Sequence, residues 1–346
     1  MTDLRSIAGL LNNAKKLVVA GHVMPDGDCV GSVKALGLVL GRMGKDVTIS
    51  LPDPVPEIFS FLPGVEEFVI GQEAFKGQYD FMVVLDCSVP ERLGTLQALL
   101  GRPLTTVNID HHAGSREFAH YNYISPSHAA TAEIIQDLIG FLKIEVTSEI
   151  ATCLYTGIVT DTGSFQYENT TPETHRRAAS LMEQGASSVW INLMINEQKP
   201  LINLLVLENT LKTLELSPCG RVAWVSVERG MLDRLNARDE NTDGLINYIR
   251  SIRGVEVAIF FHEISSRLYK VGFRSKEIVD VNRLASLFGG GGHIRAAGCV
   301  VNGNLESLQA QIVSEALKMI EGTKRGLQAQ YERHSQCAET ARDDLS

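Results

Sequence analysis

No pair of cysteines in this 346-residue chain has metal-ribbon spacing; the six are scattered, with no CxxC anywhere. A zinc ribbon is thereby excluded, a secreted disulfide framework is disfavoured, and reduced thiols in a cytoplasmic protein are the expectation. Basic charge is short as well. The 32 Lys and Arg stand against 41 Asp and Glu, for a net charge of -9, so the positive field that grips long nucleic acid is missing. Only 6% of residues are aromatic, which leaves no obvious stacking platform for a long single strand. No apolar run approaches the roughly 20 residues that cross a bilayer, so no membrane partner is expected. The GxxxxGK[ST] loop of an ATPase is absent. The N-terminal stretch carries Asp3 and reads as an amphipathic helix rather than a targeting signal.

What is present is ordinary globular material: 44% hydrophobic and 21% charged residues, in a length that suits two domains. Short apolar runs alternate with helical patterns in the first half. Leu17–Gly21, Val47–Ser50, Glu67–Ile70, Phe81–Asp86 and Thr105–Asp110 read as strands, and a helix is expected from about Cys29 to Met43. Such alternation predicts an α/β fold with a doubly wound, mostly parallel sheet over residues 1–190. A helical connector is expected over 191–220, a second, smaller α/β domain over 221–322, and a frayed polar tail over 323–346. Ligands of doubly wound sheets bind beyond the C-terminal ends of the strands, where His22, Asp86 and Asp110 fall.

Four clusters of acids and histidines follow one another. His22, Asp26 and Asp28 lie in HVMPDGD, between a strand and a helix, with Pro25 and Gly27 holding the loop irregular. Asp86 ends one apolar strand. Asp110-His111-His112 ends another. Asp161 closes the apolar helical stretch Ala151–Thr160. Taken singly, an Asp after a strand is ordinarily a turn or cap residue, and an isolated His a surface or core one. Taken together, four carboxylates meeting at one sheet edge would repel one another severely without cations. Two divalent ions carry the charge that balances Asp26, Asp28, Asp86 and Asp161. Mixed imidazole and carboxylate ligands favour Mn²⁺, with Mg²⁺ or Co²⁺ as alternatives. Two ions about 3.5–4 Å apart can share an activated hydroxide and clamp an in-line displacement at phosphorus, with no Ser or Cys nucleophile. Further on, four glycines at 289–292 precede His293, and such a run lets backbone N–H groups approach an anion.

In this order the four clusters resemble the DHH phosphoesterase superfamily. The segment Gly272–Lys276, followed by GGGGHIRAAG at 289–298, resembles the DHHA1 domain that accompanies it in one subfamily. The likeness runs from about Val18 to Val301 and looks most like the stand-alone bacterial nanoRNase/pAp-phosphatase group. It implies that His22 and Asp26 bind one metal, that Asp28, His111 and Asp161 bind the second, and that Asp86 bridges. It implies that His112 faces the scissile phosphate while Asp110 orients an imidazole. From the second domain, Arg274, Ser275, Gly290, Gly291, Gly292 and His293 would hold a phosphate or terminal nucleotide. Ala113–Arg116 and Ser125-Pro126 depart from the group's usual pattern, in positions bearing on substrate rather than metal.

The expected activity is hydrolysis of very short RNA and of 3′-phosphoadenosine 5′-phosphate. A phosphodiesterase acting on cyclic or linear dinucleotides is the alternative, since the same site serves both. A RecJ-like exonuclease fits less well in size and charge, and a family II pyrophosphatase lacks the GGGGH domain. A non-enzymatic binding module would be expected to have lost ligands, and none is lost. Partners are therefore a short RNA or small nucleotide, with no long nucleic acid; a homodimer is one assembly left open.

Overall fold

The computed structural model describes residues 2–322, in two compact units that divide after Gln198. The first unit is built on six strands: β1 (Lys16–Ala20), β2 (Asp46–Leu51), β3 (Val69–Ile70), β4 (Phe81–Leu85), β5 (Thr105–Asp110) and β6 (Tyr121–Ile124). Every neighbouring pair is parallel, in the order β3-β2-β1-β4-β5-β6. The central strands KLVVA and FMVVL are apolar without alternation because both of their faces are covered. Strand order reverses between β1 and β4, so the loops leaving those two strands diverge and open a crevice at their C-terminal ends.

One face of this sheet carries α1 (Leu4–Asn13), α2 (Gly27–Arg42), α3 (Thr131–Leu142), α4 (Ser148–Asp161) and α5 (Pro172–Glu183). Val33, Leu36, Ile135, Leu138 and Leu154 pack there against Leu17, Val19 and Val83. The alternate residues Val18, Ala20, Met82 and Val84 point to the other face, where Leu93, Leu96 and Leu99 cover them. That second layer comes from 3₁₀ segments at Gly71–Lys76 and Pro90–Gly101 instead of long helices.

One helix crossing sets the position of the acids. A Cβ at Gly31 would lie 2.3 Å from the Cys153 carbonyl oxygen, and one at Gly157 would lie 2.8 Å from Asp28 Oδ1. With glycine at both positions, α2 and α4 meet backbone to backbone. The first turn of α2, with Asp28, is thereby brought beside the end of α4, with Asp161.

The expected strand at Glu67–Ile70 shrinks to two residues, because Val65–Glu67 turns as a 3₁₀ helix. Within the stretch expected as a helical connector, the helix is interrupted. Ser188–Asn192 is helical, Leu193–Glu197 is a π-helical turn, and the chain leaves helical geometry at Gln198. Pro200 has no N–H and disfavours helix at the residue before it, so a new helix starts only at Leu201.

The second unit has a mixed sheet: Glu215–Leu216 (β7), Val222–Val227 (β8), Val257–Ser265 (β9), Leu268–Ser275 (β10), Gly291–His293 (β11) and Ala296–Asn302 (β12), ordered β11-β12-β10-β9-β8-β7. Only β8 and β9 are parallel. Its own core joins Val257, Ile259, Phe261, Val271 and Phe273 to Leu284 and to Ile312 of a helix over 305–322. Residues 323–346, expected as a frayed tail, lie outside the described residues. Among the described residues, no helix is long and apolar enough to cross a membrane.

Candidate metal centre

The loops at the sheet's reversal point carry the first acids and imidazoles. Asp86 directly follows β4 and is 2% exposed, with a left-handed backbone at φ 57°. Asp tolerates that conformation better than most residues, and strain of this kind gathers at functional sites. Its backbone N–H donates to Ile109, which fixes it between β4 and β5. Its carboxylate looks two ways. Oδ2 lies 3.2 Å from His22 Nε2, while Oδ1 lies 3.6 Å from His111 Nε2 and accepts the Thr131 hydroxyl at 3.1 Å.

Asp28 and Asp161 close the other side. Helix α3 begins at Ala130 with no side-chain cap of its own. The Asp28 carboxylate supplies one from across the fold, accepting Thr131 N–H at 2.6 Å and Ala132 N–H at 2.8 Å. Helix N-termini stabilise a negative charge, so this contact holds a buried carboxylate in place. His111 Nε2 lies 3.3 Å from Asp161 Oδ2. Asp26 caps α2 through Cys29 N–H at 3.0 Å and stands 4.0 Å from His22 Nε2 with its side chain 55% exposed, at the mouth of the cluster. Asp26 thus caps α2 while its carboxylate stays exposed beside His22.

Asp110 is fully buried. Its Oδ1 accepts from His112 Nδ1 at 2.7 Å and from His111 N–H at 2.9 Å, and its Oδ2 accepts the Ser115 hydroxyl. The imidazole it orients is thus His112, held by Nδ1 with Nε2 on the far side of the ring. His22 with Cys29 and Asp86, Asp86 with His111 and His112, and Asp28 with His111 and Asp161 form three linked groups. Within each, the ligand atoms lie within 4.8 Å of one another. Cys29 was not foreseen there. Burial raises its thiol pKa and its sulfur accepts the His22 N–H, so it packs as a neutral thiol.

The electrostatics of the cluster favour a cation. Burial, then the charge of Asp86, push Asp28 up to about 7. Burial, with Asp28 and Asp86 beside it, raises Asp161 well above the carboxylate range. Burial opposes charge on His111 too, but the surrounding carboxylates outweigh it and raise its pKa. Divalent ions would relieve all of these at once, and the donor set fits them.

The sign of the pH effect follows. Between about 4 and 7, folded Asp28 holds a proton that the unfolded chain has released, so this stabilising difference is lost as pH rises through 7. The raised histidines act in the same direction. The Tm of chelated protein should therefore be lower at pH 8.5 than at pH 6.0, and Mn²⁺ should raise it more at pH 8.5. Thermal melts at both pH values check this; a Tm gain from Mn²⁺ that is larger at pH 6.0 would contradict it.

In the second unit, Arg274 lies one residue before the end of β10, half-buried, and His293 is exposed on the edge strand β11. Ser275 does not join them. It is 1% exposed and its hydroxyl donates to the Val279 carbonyl at 2.7 Å, which places it in the turn rather than toward a ligand. The glycine run also has another explanation than anion approach. A Cβ at Gly290 would lie 2.2 Å from the Gly298 oxygen, and one at Gly292 would lie 2.5 Å from the Ala296 oxygen. Pairing with β12 demands glycine at both, while Gly291 remains open and exposed.

Besides Cys29, three participants went unseen in the sequence: Thr131 and Ser115, which donate to Asp86 and Asp110, and Arg92, whose Nη2 lies 2.9 Å from His22 Nδ1. Thr131 and Arg92 lie far from their partners in the chain, and Ser115, five residues past Asp110, belongs to no motif.

Residues 16–158 match the N-terminal domain model of the DHH family, and residues 222–322 match the DHHA1 domain. The chain is 33% identical over 303 residues to the Thermus thermophilus protein named bifunctional oligoribonuclease and PAP phosphatase NrnA, covering 87% of this chain and 89% of that one. It is 28% identical to the Bacillus subtilis protein of the same name, over 82% of this chain and 89% of the other. Among solved structures, an exopolyphosphatase-related protein from Bacteroides fragilis shares the fold, with a TM-score of 0.85 at 24% identity over 91% of this chain and 95% of that one. RecJ of Thermus thermophilus, solved with Mn²⁺, matches at a TM-score of 0.59 and 13% identity, over 91% of this chain and 55% of RecJ.

Proposed function

The chain belongs to the DHH family, with a DHHA1 domain after its DHH N-terminal domain, and on that footing we propose that it hydrolyses short oligoribonucleotides and 3′-phosphoadenosine 5′-phosphate at a pair of divalent cations. The observation that carries this reading is the linked set of ligand atoms around Asp86, each group within 4.8 Å, at the C-terminal edge of a parallel sheet. His22 and Asp26 would hold one cation, Asp28, His111 and Asp161 the second, with Asp86 facing both. Bound there, two divalent ions would supply a water of lowered pKa and neutralise charge on the phosphoryl group.

The chain's own residues do the orienting. The Asp110 carboxylate holds His112 by Nδ1 and, against the opposing effect of burial, raises its pKa. His112 Nε2–H is then a donor to a phosphoryl or leaving oxygen near neutral pH. Arg274 and exposed His293 offer a terminal phosphate a guanidinium and an imidazole; Ser275 supports them by fixing the 275–279 turn.

Imidazoles at His22 and His111 favour Mn²⁺ over the harder Mg²⁺. After chelation, the dinucleotide pApA and 3′-phosphoadenosine 5′-phosphate should not turn over. Mn²⁺ should restore initial rates at least about tenfold above those with Mg²⁺. Undiminished hydrolysis by the chelated protein contradicts the reading.

A further inference from the structure

Arg92 carries the next step, which rests on the phosphoesterase reading above. It sits in the Pro90–Gly101 segment, and its main chain is tied to the metal-centre loop: the Arg92 carbonyl accepts Val23 N–H at 2.7 Å. Its guanidinium is half-buried and reaches His22 Nδ1 at 2.9 Å. The Val23 carbonyl lies 2.8 Å from the same nitrogen.

One ring nitrogen cannot satisfy both neighbours. With a hydrogen it donates to the Val23 oxygen and meets the Arg92 N–H head-on; with a lone pair it accepts from Arg92 and faces the Val23 oxygen without a proton. His22 turns Nε2 toward Asp86 and Asp26. If Nε2 presents its lone pair to a cation, the hydrogen sits on Nδ1, the Val23 contact is kept, and the Arg92 contact is given up. Arg92 then has donors and no acceptor, because among the described residues no carboxylate pairs with it. A half-buried guanidinium that reaches a ring of the acidic cluster, and is tied there through its backbone, is placed to take an anion from outside.

We propose that Arg92 binds the non-bridging oxygens of a substrate phosphate mono- or diester on the His22 side of the centre, and that cation binding at His22 frees it to do so. Guanidinium suits this because its planar donors grip two phosphoryl oxygens at once. The competing role is structural: Arg92 would merely hold the His22 ring.

The two differ in sign. Titration calorimetry should be run with Mn²⁺ alone, and then with inorganic phosphate on the Mn²⁺-loaded protein, for wild type, R92Q and R92K. Loss of an ion-assisted hydrogen bond should weaken phosphate binding at least about tenfold in R92Q, and less in R92K. Mn²⁺ affinity should stay the same or tighten, since a neighbouring positive charge has gone. Unchanged phosphate affinity in R92Q, or Mn²⁺ affinity that falls with it, overturns the proposal. If R92Q does not fold, phosphate affinity in R92K equal to wild type overturns it as well, since an ammonium cannot replace a two-pronged contact. Hydrolysis of pApA by the wild type is measured alongside. Its absence removes the enzymatic reading, while the phosphate titration still decides the role of Arg92.

Discussion

Asp86→Asn should lower hydrolysis of dinucleotides by at least about a thousandfold and strip the protein of metal while leaving it folded. The substitution keeps the shape of the side chain and a residue type that accepts the left-handed backbone at φ 57°. What disappears is one buried negative charge that faces His22 through one oxygen and His111 and Thr131 through the other. No other carboxylate of the centre sits between the two histidines in this way. The pKa of Asp86 is depressed: burial works against its charge, but the hydrogen bond from His22 and the nearby imidazoles overcome it. It is therefore an anion at any working pH, and the amide cannot stand in for it as a shared ligand. Metal analysis by mass spectrometry, circular dichroism and initial rates on one preparation check this. Near-normal metal and turnover in the variant would rule out the shared role.

The second large effect is on substrate length. Rate per RNA end should fall by about a hundredfold between two and twenty-four nucleotides, most of it beyond about five, because the described residues offer no row of exposed rings and the chain carries net negative charge. Net charge is -9. Long single strands are gripped by successive stacking rings, and among the described residues the exposed aromatics are only Phe141, Tyr167, Trp190 and Tyr248. Of these, Tyr167 packs against Gly163, two residues past Asp161, so the acidic cluster has one ring beside it rather than a row. An RNA ladder at matched end concentration measures the dependence. Decay of the longest species at the dinucleotide's rate would favour an exonuclease instead.

Much of this was legible in the sequence because each signal was local. Apolar runs without alternation give buried parallel strands, and the carboxylate or imidazole just past such a run lies at the sheet's C-terminal edge; His22, Asp86 and Asp110 needed no more than that. The end of α4 at Asp161 was visible for the same reason. Strand β6 was not, since Tyr121–Ile124 is short and buries a polar residue, Asn122, whose amide is satisfied by Ala119. The contacts that shape the centre are also long-range. Thr131 donates to Asp28 from 103 positions away, and Arg92 reaches His22 from 70. Spacing within a motif says nothing about either. The glycines at 290 and 292 are ambiguous in another way: a steric requirement of strand pairing and an anion cradle leave the same residue in the sequence, and the β12 contacts supply the first reason.

Every prediction above turns on a pair of cations shared through Asp86. Anomalous diffraction at the manganese edge, from crystals grown with Mn²⁺, tests it most directly. Two peaks per chain are expected, one touching His22 and Asp26, the other Asp28, His111 and Asp161, with Asp86 in contact with both. A single peak, or peaks that Asp86 does not touch, would contradict it.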